Sequence, residues 1–147
     1  MVAVWLSVLG APAFADFTDG LAAYDGGDYA TAFEEWRTLA EAGDAEAQVA
    51  LASLYLSGQG VRTDVGAGIS WYRRAAEAGH PVAQLNLGDF YSRGAGVPRD
   101  LVTAYVWLSL AAEQGRAWAG QRRQEIARKM TAAQLTEAEA RAAAERP

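Results

Sequence analysis

The sequence predicts an all-α fold, an α/α solenoid of stacked helix-turn-helix repeats with capping helices at its ends. Three observations predict it. A 36-residue stretch recurs without a gap: Asp44–Gly79 laid over His80–Gly115 gives thirteen identities. A fixed period of this size is the mark of a repeat architecture. Within each copy, apolar residues recur every three or four positions, which is one face of a helix. Gly and Asp punctuate both copies at the same offsets, where helices end and begin.

Composition sets the bounds. With 147 residues, 51% hydrophobic and 21% charged, the chain is one globular domain rather than a disordered segment. It has no cysteine, which removes disulfide frameworks, thiolate metal sites, thiol nucleophiles and a lipid anchor on cysteine. Its single histidine, His80, removes multi-histidine metal sites within one chain. The net charge of −5 gives no general reason to seek nucleic acid, which is bound chiefly through Lys and Arg.

Residues 1–15 read MVAVWLSVLGAPAFA. A short apolar run followed by Ala13-Phe14-Ala15 has the order of a secretory signal cleaved before Asp16. The run is too short to span a membrane, which takes about 20 residues. No Lys or Arg precedes it, so either the signal is minimal or the true start lies elsewhere; an ordinary apolar first helix is the alternative. The expectation is a periplasmic or secreted protein with no stable membrane insertion after cleavage.

Residues 16–130 form the solenoid. A leading half, 16–43, is expected as helices Phe17–Tyr24 and Tyr29–Ala42 around the turn Asp25–Asp28. The full repeats are 44–79 and 80–115. In the first helix of each, Ala47, Leu51, Leu54 and Tyr55, or Ala83, Leu87, Phe90 and Tyr91, share a face. Asp44 is placed to cap the first copy, and Pro81 takes the favoured first helical position in the second. Gly58 and Gly60, and Gly94 and Gly96, end these helices. Asp64 and Asp100 are the expected N-caps of the second helices, as Asp28 is in the leading half. On the second helices Ala67, Trp71, Ala75 and Ala76 share a face. Trp71 and Trp107 are expected to bury on the order of 200 Å² each. Gly79 and Gly115 close the repeats.

In the trailing part, 116–130, the helix Ala117–Met130 carries Arg123 where Leu51 and Leu87 stand, so the third repeat is diverged. Thr131 and Gln134 make a capping-box pattern before a final helix, Ala132–Arg146, within a C-terminal cap at 131–147. Polar end helices are what stops a solenoid from stacking further.

The pattern A-x-x-x-L-x-x-x-Y-x-x-G-x-G-V-x-x-D, followed by W-x-x-x-A-A-E-x-G, resembles the Sel-1-like repeat family, a branch of the tetratricopeptide-like α/α repeats. Leu51, Tyr55, Gly58, Gly60, Val61, Asp64, Trp71, Ala75, Ala76 and Gly79 carry the resemblance, together with their copies 36 residues on. Tetratricopeptide repeats have a 34-residue period and a shorter turn. The resemblance implies a protein-interaction adaptor.

Several signals look chemical and are not. The two G-x-G turns have Thr63 and Arg99 where a dinucleotide loop needs a third glycine. The only lysine, Lys129, has Ile126 three residues before it, so no Ser-x-x-Lys nucleophile exists. His80 reads as structural. Glu34 and Glu35 are adjacent and do not face one another on a helix. No cofactor or metal motif stands out.

Charge is uneven. Residues 16–115 hold 6 basic and 14 acidic side chains, net −8, and residues 116–147 hold 7 and 4, net +3. Arg116, Arg122, Arg123, Arg128 and Lys129 lie on one predicted helix. They make either a solvated cap or a docking patch for an acidic protein or anionic envelope polymer.

The first helices leave a stripe that packing does not use: Glu46, Ala50, Ser53, Ser57; then Val82, Asn86, Asp89, Arg93; then Trp118, Arg122, Glu125, Lys129. Asn86, Asp89, Arg93, Trp118 and Arg122 are the expected partner-binding residues, with Trp118 either an aromatic anchor or packed under the last helix. The expected function is a monomeric, non-enzymatic adaptor for a peptide segment or helix of another protein. Two other readings stand beside it: an envelope ligand-binding protein or hydrolase acting on cell-wall material, and a structural subunit that stacks end to end.

Overall fold

The computed structural model describes residues 16–146, which form eight α-helices and, among the described residues, no strand. The export reading rests on residues 1–15, outside the described residues. The helices are α1 Phe17–Asp25, α2 Tyr29–Glu41, α3 Ala45–Ser57, α4 Val65–Glu77, α5 Pro81–Arg93, α6 Leu101–Glu113, α7 Ala117–Ala127 and α8 Ala132–Ala144. The solenoid fold class is the one the repeat predicts.

Most helix starts have a local cause. Asp28, Asp44, Asp64 and Asp100 all accept a backbone N–H three residues ahead, at 2.8–3.1 Å. Such a bond satisfies one of the free donors at a helix start. Helix α5 has no side-chain cap and begins on Pro81, which has no N–H to satisfy. Thr131 and Gln134 form the reciprocal capping box of α8.

The two glycines of each G-x-G turn do different work. Gly58 and Gly94 are C-caps in the left-handed region, at φ 71° and 69°. Gly60 and Gly96 lie against the preceding second helix. A Cβ on Gly60 would strike the Tyr29 carbonyl at the start of α2, and one on Gly96 would strike Val65 and Ile69 of α4. The second glycine therefore sets how closely one repeat seats on the last.

Neighbouring helices pack in chain order from α1 to α7. One core cluster joins Phe33 and Trp36 of α2 to Leu51 and Leu54 of α3. The next joins Ile69 and Tyr72 of α4 to Leu87 of α5, and a third joins Leu108 of α6 to Ala119 and Ile126 of α7. Buried Gln48 and Gln84 donate to the carbonyls of Ala40 and Ala76 at 3.1 and 3.2 Å, tying each first helix to the end of the preceding second helix.

Trp71 and Trp107 are half-buried, each packed against two of the core clusters. Ile69 and Tyr72 add to them, because the buried face of α4 runs through Gly68, Ile69, Tyr72, Ala75 and Ala76. The structure corrects two expected helix ends. Helix α7 ends at Ala127 and α8 at Ala144, short of Met130 and Arg146. Helix α8 packs on α6, where Val106 and Leu110 meet Ala142. It follows the apolar strip of α6 because α7 offers little: only Ala119 and Ile126 of α7 are buried, and both serve the inner core.

Candidate functional site

The first-helix stripe differs along its length. In α3 its polar groups are already engaged. Glu46 meets His80 Nε2 at 2.8 Å, Ser53 Oγ lies 3.0 Å from the Tyr72 hydroxyl, and Ser57 Oγ donates to Gln59 at 3.0 Å. His80 is 13% exposed on its side chain and holds the starts of α3 and α5 together, a structural role.

In α5 and α7 the stripe residues are brought together. Arg93 Nε donates to Asp89 Oδ1 at 3.0 Å within α5, and Arg122 Nε of α7 stands 3.6 Å from the same oxygen. Arg122 also donates to Glu125 at 2.8 Å and reaches Ser92 Oγ at 3.4 Å. One carboxylate thus gathers two guanidinium groups from adjacent repeats. Arg122 is 22% exposed, so its Coulomb attraction to Asp89 is less screened than that of a surface pair. Asn86 is half-buried one turn before Asp89.

Trp118 stands one turn before Arg122 and is 49% exposed. It does not pack under the last helix, since α8 lies on α6. An exposed indole beside a fixed ion pair offers a large apolar contact bordered by directional polar groups.

Two of the basic residues between 116 and 129 point to different partners. Arg122 turns to Asp89 and Glu125, whereas Arg123 lies over the Tyr105 ring of α6, 5.8 Å from its centroid. Arg123 replaces the repeat's leucine by covering apolar surface with its stem and an aromatic face with its head.

Sequence reasoning missed the glutamines. Gln114 donates to the Gly79 carbonyl at 3.0 Å and to Gln84 Oε1 at 2.8 Å, which completes the bonding of a buried amide between repeats. The available signal was a polar residue, Gln48 and Gln84, kept at the same place in two otherwise apolar stretches. Among the described residues no three His, Asp or Glu side chains gather as a metal site, and no helix is long and apolar enough to cross a membrane.

Comparison with known proteins agrees with this architecture. The Sel1 repeat model matches residues 45–80 and 81–115. Among solved structures, a protective antigen of uropathogenic Escherichia coli with an SLR fold is similar at 31% identity and a TM-score of 0.81, over 88% of this chain and 28% of that one. A Sel1 repeat protein from Oxalobacter formigenes is similar at 32% identity and a TM-score of 0.69, over 74% of this chain and 44% of that one. This chain therefore spans less than half the length of either. No curated protein matches its sequence.

Proposed function

The chain belongs to the Sel1-repeat family, and from that premise we propose that it is a non-enzymatic, exported adaptor that binds another protein along α5 and α7. Sel1-repeat proteins are generally protein-interaction scaffolds and typically non-catalytic. The observation that carries the finer reading is the exposed Trp118 beside the Asp89–Arg122 pair. Aromatic and arginine side chains dominate binding energy where a partner excludes water from them. The occupant is a peptide segment or helix, and the adaptor works as a monomer. The Ala13-Phe14-Ala15 order supports export to the periplasm or beyond.

The test compares the wild type with the triple variant Asn86→Ala, Asp89→Ala, Arg122→Ala as bait in the cell envelope. The variant loses the partner while its helical circular dichroism is unchanged. Equal capture by both proteins overturns the proposal.

A further inference from the structure

A second surface, on the opposite set of helices, has its own chemistry. Helices α4, α6 and α8 all end at one cleft of about 550 Å³. Trp107 and Leu110 give its apolar wall, and Glu77, Glu113 and Glu145 stand around it. Three helix C-termini converge here, each bringing the negative end of its helix dipole. Helix α6 has no basic residue in its last turn to offset that charge.

The chain itself shows what such a place takes. In the preceding repeat Trp71, the counterpart of Trp107, carries the Arg74 guanidinium 4.6 Å from its ring centroid. Position 110, the counterpart of Arg74, is leucine, so α6 supplies no arginine of its own to Trp107. At the rim, Arg146 Nε donates to Glu113 at 2.9 Å. One carboxylate thus already receives a guanidinium, while Glu77 and Glu145 have no ion-pair partner among the described residues.

We propose that this cleft binds an arginine side chain presented by an extended segment of a partner protein, with the guanidinium held between the Trp107 ring and the Glu77 and Glu113 carboxylates. Arginine fits better than lysine, because its planar head stacks on an aromatic face while its N–H groups reach carboxylates at the edge. Charge favours the same occupant: residues 16–115 carry a net −8. The site shares no residue with the α5–α7 stripe and stands or falls independently of it.

The probe is the peptide acetyl-Gly-Arg-Gly-Arg-Gly-amide, titrated into the full chain and followed by the indole N–H resonances. The Trp107 resonance shifts in a saturable way and that of Trp71 does not. The same peptide with citrulline, which keeps the shape and loses the charge, binds at least about tenfold more weakly, a difference of about 1.4 kcal/mol. Glu77→Gln with Glu113→Gln has a similar effect and leaves the helical spectrum intact, since Glu77 and Glu113 are exposed. Arg146→Ala, which frees Glu113, tightens binding. A Trp107 resonance that stays still at millimolar peptide, or a citrulline peptide that binds equally, overturns the proposal.

Discussion

Individual side chains were legible where a single residue type has a single local use. The aspartates at 28, 44, 64 and 100 each cap a helix, because a short carboxylate before an apolar-periodic run has one nearby set of donors to satisfy. Asp100→Ala is expected to cost about 1 kcal/mol in denaturant unfolding. Partial burial pushes the Asp100 carboxyl up, but the Thr103 N–H and hydroxyl, the Val102 N–H and the Arg141 charge outweigh it and leave it below its usual 3.8. Its contribution is therefore complete above that value and is lost as pH falls through the lower, folded-state value. Asp100→Asn flattens the acid limb of the stability curve below about pH 4, and an unchanged limb contradicts the assignment. The glutamine bonds were not legible, because an amide's partner depends on which carbonyl the packing brings near it. They now predict a gain. Gln48 Oε1 is buried without a partner, whereas Gln84 Oε1 accepts from Gln114, and residue 78, the counterpart of Gln114, is alanine. Ala78→Gln supplies the missing donor and raises stability by about 1 kcal/mol, read from the urea midpoint. A loss of stability would show that the amide cannot reach.

At the scale of helices, the 36-residue period placed the helices of both repeats, and errors gathered where the period fails. Trp71 and Trp107, which recur and are large, lie against two core clusters each. The buried neighbours Ile69 and Tyr72 have no identical counterparts at 105 and 108, so the repeat does not mark them. Leu51→Ala and Leu87→Ala, at fully buried positions, are each expected to cost about 2–5 kcal/mol. Helix α8 was legible as a helix, but its seat on α6 was not, since no copy elsewhere in the chain shows where it goes. Ending the chain at Met130 uncovers Val106 and Leu110 and is expected to cost about 3 kcal/mol, with a lower melting temperature and new binding of a hydrophobic dye. A melting temperature equal to that of the full chain would show that α8 is only a tail.

For the whole molecule, the fold followed from the repeat alone, and the proposed binding surface followed only in outline. The stripe was legible as a set of positions left over after packing. That Arg93 and Arg122 share Asp89, and that Trp118 faces outward, depends on the rotation of α7 against α5, which pattern alone does not give. A protein of this kind is defined by what it holds, so the decisive measurement locates the contact. A photo-crosslinking residue is placed in the protein, in its native cell, at 118, at 93, or at 70, an exposed position on α4 away from the stripe. Positions 118 and 93 are expected to capture the same protein, and position 70 is not. Capture of a protein from 70, with none from 118 and 93, would move the partner off the α5–α7 surface.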